Sequence, residues 1–201
     1  MSLFPIFVKL QGRVVVVVGG GNIAAGKIPG LLQAQARVRV VAPQINSQIS
    51  AWADTGEIEW SPKEFTPADL EDAALVIAAT SIPSVNAAVF QAAEARSIFC
   101  NAVDDIANCH FYYGSIVQRG DLQIAISTNG KSPALAQRLR NELEQQYPAE
   151  YSAWLDSLGD AREKLRAASD PKENFEENKA ILHRLASPEM FSRFVRSQSR
   201  R

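Results

Sequence analysis

The sequence predicts an α/β fold in which a mostly parallel sheet is followed by a small α+β region and a helical C-terminal part. The first observation is the run Arg13–Val18, because a short, continuous β-branched run is typical of a strand buried on both faces of a parallel sheet. The second is the alternation of apolar runs with helical segments as far as Val103, which favours right-handed crossovers with helices on both faces. The third is a change of pattern near Tyr113, where a hairpin and then helices follow.

The alternating part begins with the valine strand, and Pro43 closes the second strand. The order β-α-β-α-β-β-α-β is the pattern of a mostly parallel sheet. The predicted strands after the first are Arg37–Ala42, Glu57–Trp60, Ala73–Ala79 and Ile98–Val103. The predicted helices are Ile23–Gln35, Gln44–Asp54 and Ser84–Ala95.

The part beyond Tyr113 begins with a predicted hairpin. Its strands are Ser115–Gln118 and Leu122–Ser127, and Arg119-Gly120-Asp121 has the composition of a turn. Ser132 is a good N-cap for the next helix, Ala134–Gln146, because Pro133 suits the first helical position. Each later helix is predicted to begin with a proline, where a missing N–H costs least. These helices are Pro148–Ala168, Pro171–Leu185 and Pro188–Arg196.

Composition and charge narrow the class of protein. The 201 residues are 46% hydrophobic and 21% charged, which is enough to bury a core. The net charge of -1 gives no electrostatic reason to expect nucleic-acid binding. The N-terminal MSLFPIFVKL lacks the features of a signal peptide, and no run of about 20 apolar residues predicts a membrane span. Cys100 and Cys109 make no disulfide framework, so we expect a reduced, cytoplasmic protein.

The glycine turn after the valine strand matches a dinucleotide-binding fingerprint. Gly19-x-Gly21-x-x-Ala24 lies between a strand and a helix of a βαβ unit. Gly19 permits a tight turn, Gly21 lets the backbone approach a pyrophosphate, and Ala24 lets the helix pack close to the strand. Asn22 and Ile23 open the helix, so their N–H groups are expected to face the pyrophosphate. The pattern predicts a Rossmann-like domain with a dinucleotide site; a purely structural turn is the alternative.

The remaining cofactor contacts are expected after two other strands. The fingerprint places an acidic residue at the end of the second strand to hold the adenosine ribose, whereas this strand ends in Ala42-Pro43-Gln44. We expect Pro43 and Gln44 beside the adenosine, and Thr80 and Ser81 near the nicotinamide half. Without that acid, charge does not decide between NAD and NADP. The lack of an arginine placed for a 2′-phosphate favours NAD.

Five segments together resemble a known family. PIFVKLQGRVVVVVGGGNIAAGKI, VRVVAP, VIAATS, NAVD and AISTNGKSPALAQRLR occur in this order over about residues 3–145. In this combination the chain resembles the precorrin-2 dehydrogenases of siroheme biosynthesis, some of which are also sirohydrochlorin ferrochelatases. The resemblance implies an NAD-binding domain over residues 1–113, a dimerisation region over 114–147 and a helical domain over 148–201. A homodimer is expected, because the hairpin and helix at residues 115–146 are small for an independent core.

The resemblance also implies the chemistry. The family oxidises precorrin-2, a carboxylate-rich tetrapyrrole, to sirohydrochlorin with NAD, and some members then insert Fe²⁺; both steps release protons and need a base. Asp104 follows a strand at the edge where open α/β sheets bind ligands, and it matches the aspartate to which the family's activities are attributed. We therefore expect Asp104 to be the base. Asp105 is an alternative base, and a helix cap or a solvated loop residue is the alternative interpretation of Asp104.

Substrate contacts are expected from the polar loop STNGKS and its surroundings. The loop offers hydroxyls, amides, a lysine and a helix N-terminus, which suit the carboxylates of a tetrapyrrole. The structural alternatives are a capped strand-to-helix loop and a solvated helix face. The expected substrate-binding residues are Asn101, Ser127, Thr128, Lys131, Ser132 and Arg138.

No resident metal is expected. Cys100, Asp104, Asp105, Cys109 and His110 lie within eleven residues, but Cys-x8-Cys-His is not a usual zinc spacing. His110 is a weak candidate for a transient encounter with a metal ion that is about to be inserted.

Two other functions are also compatible with the sequence. A regulatory NAD-binding module without catalysis would bind the nucleotide but would need neither Asp104 nor the STNGKS loop. A different NAD-dependent oxidoreductase of a small substrate would use a histidine or a Tyr-x-x-x-Lys pair, and no tyrosine of this sequence has a lysine four residues later.

Overall fold

The structure is a computed structural model that describes residues 3–168 and 174–198. The chain divides into two compact units, Met1–Tyr112 and Tyr113–Arg201, each of which is described by itself. The division of the second part at residue 147, into a dimerisation region and a helical domain, stays a prediction.

The first unit contains a five-stranded parallel sheet in the order β3-β2-β1-β4-β5, which confirms the predicted α/β class. The strands are β1 Val14–Val18, β2 Arg37–Val41, β3 Ile58–Ser61, β4 Ala73–Ala78 and β5 Phe99–Ala102. The helices are α1 Asn22–Gln33, α2 Ser47–Asp54 and α3 Pro83–Glu94, and short 3-10 turns lie at Pro67–Leu70 and Ile106–Asn108.

The valine strand β1 lies at the centre of the sheet and is buried along its whole length. Successive side chains of a strand point to opposite faces, so the run contributes to two separate cores. Val15 and Val17 pack in the core that contains Ile28 of α1, whereas Val16 lies in the core that contains Val89 of α3. Burial on both faces explains why the run is continuously apolar rather than alternating.

A crevice is expected where the strand order reverses. β1 pairs with β2 on one side and with β4 on the other. The chain leaves β1 for β2 and β3 and returns to the other side at β4, so the loops after β1 and β4 diverge at the carboxyl edge of the sheet. Ligands of open α/β sheets bind at such a point.

Two helix boundaries of the first unit differ from the predictions by more than one residue. α1 ends at Gln33 rather than Gln35, because the backbone of Gln35 is left-handed with a φ of 58°. α2 begins at Ser47 rather than Gln44, because the Oδ1 atom of Asn46 accepts a hydrogen bond from the N–H of Ile49 at 2.9 Å and caps the helix. Gln44 therefore lies in the loop between β2 and α2.

Within the described residues, the second unit consists of one antiparallel hairpin and the helices α4 to α7. The hairpin strands are β6 Ser115–Arg119 and β7 Leu122–Ile126. The helices are α4 Pro133–Gln146, α5 Tyr151–Ala168, α6 Phe175–Leu185 and α7 Pro188–Gln198. α5 begins three residues after the predicted Pro148, and the predicted helix start at Pro171 lies outside the described residues.

Hydrogen bonds and aromatic contacts hold the second unit together. The guanidinium of Arg119 donates to the carbonyl oxygens of Tyr147 at 2.8 Å and Glu144 at 3.1 Å, which joins the hairpin to the end of α4. The ring of Phe191 on α7 lies 4.2 Å from that of Tyr151 and 5.0 Å from that of Trp154, both on α5. No helix among the described residues is long and apolar enough to cross a membrane.

Candidate active site

The glycine turn after β1 requires glycine at two positions for close backbone packing. Gly19 has a φ of +126°, and a Cβ there would lie 2.4 Å from the carbonyl oxygen of Ala79. A Cβ on Gly20 would lie 1.9 Å from the carbonyl oxygen of Gln44. Gly21 differs, because nothing lies within 4 Å of the position of its Cβ. The space above Gly21 therefore suits close approach of a ligand to the backbone. Sequence reasoning missed Gly20, since the fingerprint leaves that position open.

The N-terminus of α1 adjoins this open space. Gly21 occupies the N-cap position with no side-chain hydrogen bond to the helix, and the first turn contains no acidic side chain. The first N–H groups of a helix have no partner within the helix, and they carry a partial positive charge. An uncapped N-terminus beside an open glycine therefore fits the pyrophosphate of a dinucleotide, with the N–H groups of Asn22 and Ile23 as donors and Ala24 buried beneath them.

Asn46 joins the loop after β2 to the glycine turn. Its backbone N–H donates to the carbonyl oxygen of Gly20 at 2.8 Å, and its Nδ2 donates to Oδ1 of Asn22 at 3.0 Å. Pro43 and Gln44, the residues expected beside the adenosine, lie in the loop that is held in this way. Sequence reasoning missed Asn46, whose partner is 24 residues away.

Thr80 and Ser81 follow β4 at the same edge of the sheet. Ser81 is exposed. The hydroxyl of Thr80 instead lies 2.7 Å from Oδ1 of Asn86, a buried side chain on α3. The polar atoms of Thr80 are therefore engaged within the protein, whereas Ser81 presents its hydroxyl to solvent.

Asp104 lies two residues beyond β5 with its side chain exposed. Its backbone is left-handed, with a φ of 62°. Aspartate and asparagine adopt this conformation more often than other residues that have a Cβ. Among the described residues, none forms a hydrogen bond or an ion pair with its carboxylate. The neighbouring Asp105 differs, because its Oδ2 accepts a hydrogen bond of 2.6 Å from the side chain of Asn108.

The base of the Asp104 loop is fastened by Asn101 and Cys109. Asn101 is buried, and its Nδ2 donates to the carbonyl oxygen of Phe111 at 2.8 Å. The Sγ of Cys109 donates to the carbonyl oxygen of Ala102 at 3.1 Å, and burial raises the pKa of this thiol. The Nδ2 of Asn101 is thus committed inside the loop, which gives Asn101 a positioning role besides the substrate contact that was expected of it.

Both ring nitrogens of His110 are engaged. Nδ1 accepts a hydrogen bond from the N–H of Cys100 at 3.0 Å, so the ring proton lies on Nε2, which donates to the carboxylate of Glu94. The ring stacks on Phe90 at 4.7 Å. In this arrangement His110 offers no free nitrogen to a metal ion. No group of three His, Cys, Asp or Glu side chains within the described residues is placed to hold a metal.

The STNGKS loop lies in the second unit, between β7 and α4. Oγ of Ser127 accepts from the N–H of Asn129, and Oγ1 of Thr128 accepts from the N–H of Ser132, both at 3.2 Å. Ser132 caps α4, as predicted, by accepting from the N–H of Leu135. Because these hydroxyls act as acceptors inside the loop, their protons remain to be donated to a ligand. Lys131 is exposed.

Arg138 lies on an exposed face of α4. Its Nε is 3.4 Å from a carboxylate oxygen of Glu142 one turn later, and its side chain is 68% exposed. An exposed pair of this kind contributes little to stability. Arg138 can therefore leave Glu142 for a carboxylate ligand at small cost.

Within the first unit, the candidate cofactor and catalytic groups share one edge of the sheet. The loops after β2, β1, β4 and β5 lie in that order along the carboxyl ends of adjacent parallel strands. They carry in turn Gln44, Gly21, Ser81 and Asp104. The arrangement can hold a dinucleotide across the centre of the edge with a carboxylate base at one side.

Two family models match successive parts of the chain. Residues 6–115 match the family model described as putative NAD(P)-binding. Residues 119–146 match the model described as sirohaem biosynthesis protein central.

Similar proteins carry both parts. A siroheme synthase of Mannheimia succiniciproducens is 41% identical over 166 residues, which are 83% of this chain and 35% of that protein. A siroheme synthase of Neisseria meningitidis serogroup C is 45% identical over 163 residues, which are 81% of this chain and 32% of that protein. The chain thus spans about a third of the length of these relatives.

A solved structure is similar over the whole chain. SirC, a precorrin-2 dehydrogenase, superposes with a TM-score of 0.77 and 26% sequence identity, and the match covers 99% of this chain and 100% of SirC. The chain therefore belongs to the siroheme synthase family, in which a putative NAD(P)-binding domain is followed by the sirohaem biosynthesis central region.

Proposed function

We propose that this protein oxidises precorrin-2 to sirohydrochlorin with NAD as the hydride acceptor. The observation that carries the proposal is the exposed carboxylate of Asp104. It has no hydrogen-bond or ion-pair partner among the described residues, and it follows a strand at the sheet edge that also carries the dinucleotide turn. The similarity to SirC over the full length of both chains supports the same substrate.

The oxidation removes a hydride and a proton from the tetrapyrrole. Bound NAD supplies the acceptor for the hydride. The chain must then hold the dinucleotide and accept the proton. The N–H groups of Asn22 and Ile23 bind the pyrophosphate, and the loop of Pro43 and Gln44 lies beside the adenosine. A carboxylate oxygen of Asp104 accepts the proton and releases it to solvent, to which the side chain is exposed.

The carboxylates of the substrate need donors. The hydroxyls of Ser127, Thr128 and Ser132 each accept a bond within the STNGKS loop and retain a proton to donate. Lys131 adds a positive charge, and Arg138 adds a guanidinium that can bind a carboxylate in a bidentate manner. A substrate with many carboxylates would use such a set.

Insertion of Fe²⁺ into sirohydrochlorin is the second reaction proposed for the same base. The ion is a substrate here, and the pyrrole protons that it displaces need an acceptor, for which Asp104 is again the candidate. Addition of Fe²⁺ to enzymatically formed sirohydrochlorin tests this step. Insertion no faster than in protein-free buffer would limit the protein to the dehydrogenase reaction.

We further propose a homodimer formed through the second unit. The buried apolar side chains of its described residues are Val117, Ala136 and Trp154, while Ile116 and Leu135 remain exposed. So small a core favours a second copy that covers the hairpin and α4. Sedimentation equilibrium on the full chain tests this, and a monomer at micromolar concentration would contradict it. A cytoplasmic location is part of the proposal and is consistent with two free cysteines.

The experiment that tests the proposed oxidation is anaerobic incubation of the protein with enzymatically made precorrin-2, with and without NAD. The proposal predicts a sirohydrochlorin spectrum only when NAD is present. Titration calorimetry with NAD accompanies the assay. NAD binding without any change of the tetrapyrrole would instead favour a regulatory NAD-binding module.

A further inference from the structure

We propose that Asn86 is a positioning residue for the cofactor, and that it acts by fixing the loop after β4 against the glycine turn. This inference rests on the proposed NAD-dependent function, and it adds a residue that the dinucleotide fingerprint does not contain. Asn86 lies on the first turn of α3 and is 6% exposed.

Asn86 satisfies every polar group of Thr80. Its Oδ1 accepts from the N–H of Thr80 at 3.2 Å and from the hydroxyl of Thr80 at 2.7 Å. Its Nδ2 donates to the carbonyl oxygen of Thr80 at 3.1 Å. A buried amide that loses its partners is costly, so the backbone of Thr80 is held firmly by this one side chain.

The clamp extends along the loop. Oγ1 of Thr80 also accepts from the N–H of Ile82 at 3.1 Å, and Ile82 is the N-cap residue of α3 with no side-chain cap of its own. The hydroxyl of Thr80 therefore anchors the residue that precedes α3 and fixes the course of the chain through Ser81. Since Ser81 is exposed between two anchored neighbours, its hydroxyl and N–H are presented in a defined direction.

The clamped peptide touches the dinucleotide turn. A Cβ on Gly19 would lie 2.4 Å from the carbonyl oxygen of Ala79 and 3.2 Å from the nitrogen of Thr80. The glycine turn therefore packs directly against the peptide between Ala79 and Thr80. Any displacement of that peptide moves the wall of the crevice between β1 and β4, where the cofactor is proposed to bind. Asn86 therefore acts through Thr80 and not by touching the cofactor.

The test compares NAD dissociation constants, measured by titration calorimetry on the full chain. Asn86→Ala and Thr80→Val are each expected to weaken NAD binding about tenfold, because each removes two or more hydrogen bonds from the loop. If Asn86 acts through Thr80, the variant with both substitutions should bind NAD no more weakly than whichever single variant has the lower NAD affinity. Thr80→Ser keeps the hydroxyl and is expected to restore wild-type binding.

Thr55→Val is the matched control. The hydroxyl of Thr55 also binds backbone carbonyl oxygens, those of Ala51 and Trp52, but at the end of α2 that leads into β3, away from the carboxyl edge. Removal of this hydroxyl is expected to leave NAD binding unchanged. An equal loss of NAD affinity in Thr55→Val would mean that general destabilisation weakens NAD binding, and it would overturn the proposal.

Asn86→Asp provides a second variant that keeps the shape of the side chain. At neutral pH its carboxylate lacks the donor to the carbonyl oxygen of Thr80, so binding is expected to be weak; as the pH falls and the carboxyl is protonated, the donor returns and binding should improve. Affinity that does not respond to pH, or wild-type affinity in folded Asn86→Ala, would overturn the inference. Failure of the wild-type protein to bind NAD would instead overturn the proposed function.

Discussion

The side chain of Asn108 donates a hydrogen bond of 2.6 Å to the carboxylate of Asp105, while the adjacent carboxylate of Asp104 is exposed. The two consecutive aspartates therefore differ in role: Asp105 stabilises the loop, and Asp104 is available to a substrate. The sequence alone left both open as the base.

Replacement of Asp105 by asparagine is therefore expected to have little effect on catalysis. The amide side chain introduced by Asp105→Asn would keep an oxygen that accepts from Asn108, so the loop and the position of Asp104 are preserved. We expect the rate of precorrin-2 oxidation to stay within about threefold of wild type, whereas Asp105→Ala removes the acceptor and should lower the rate by about tenfold. Steady-state kinetics under anaerobic conditions measure both. Loss of all activity in Asp105→Asn would assign the base to Asp105.

The glycines of the turn are expected to differ in their response to alanine. Gly21→Ala adds a methyl group where nothing lies within 4 Å and where the backbone φ is -88°, so no clash is expected. Stability should fall only by about 1 kcal/mol or less, because alanine is less favourable than glycine at an N-cap. The same methyl group occupies the space proposed for the pyrophosphate, and the dissociation constant for NAD should rise at least about tenfold. Calorimetry and thermal denaturation separate the two effects, and unaltered NAD affinity would place the cofactor elsewhere.

Gly20→Ala is the opposite case. Its Cβ would lie 1.9 Å from a backbone oxygen of Gln44, which cannot move without the loop after β2. We expect a loss of about 3 kcal/mol or more in the free energy of unfolding, measured by urea denaturation. Stability equal to that of Gly21→Ala would show that the loop is not packed as described.

Gln35→Gly is expected to stabilise the protein. Gln35 follows α1 with a left-handed φ of 58°, a conformation that costs a residue with a Cβ about 1–2 kcal/mol. Glycine avoids this cost but loses more entropy on folding, so the net gain should be about 0.5–1 kcal/mol. Gly56→Ala is the matched control at a φ of +75° and should be destabilising. A lower stability of Gln35→Gly in urea would contradict the assigned backbone.

Asp69 is expected to contribute stability that depends on pH. Burial acts to raise its pKa, but hydrogen bonds from Lys63 and Thr66 outweigh burial and leave the pKa below the ordinary value of 3.8. The folded state then holds this proton less tightly than the unfolded state, so the contribution is present above pH 3.8 and is lost as the pH falls through the lowered folded-state pKa. Asp69→Asn should reduce the dependence of the free energy of unfolding on pH in this acidic range. Asp72→Asn, at an exposed aspartate of the same unit, is the control and should leave it unchanged.

Local patterns predicted the elements that depend on neighbours in sequence. Val14–Val18 is buried on both faces, and such a strand requires a continuous apolar run that is visible in the sequence. The positive φ of Gly19 likewise requires a glycine directly after that run. Ser132 is likewise both the predicted and the observed cap of α4, because its acceptor role involves residues only three positions apart.

Contacts between distant residues could not be predicted in this way. The side chain of Asn46 reaches Asn22, 24 residues earlier. Its cap on α2, in contrast, is a local contact with Ile49, which the predicted helix start at Gln44 overlooked. Glu94 binds His110 from 16 residues away, which engages a ring that the sequence had left open to metal. Both pairs depend on which elements of the fold lie side by side, and none of these side chains carries a local signal of its distant partner.

The measurement that tests the central claim most directly is the amount of NADH formed per sirohydrochlorin in the wild-type protein and in Asp104→Asn. Asparagine tolerates the left-handed backbone, so the variant should fold and bind NAD as wild type does. We predict one NADH for each sirohydrochlorin in the wild type and a rate lower by about 10²–10⁴ in the variant, because the base is lost. Oxidation by Asp104→Asn at the wild-type rate would contradict the assignment of Asp104, and sirohydrochlorin formed without NADH would contradict NAD as the hydride acceptor.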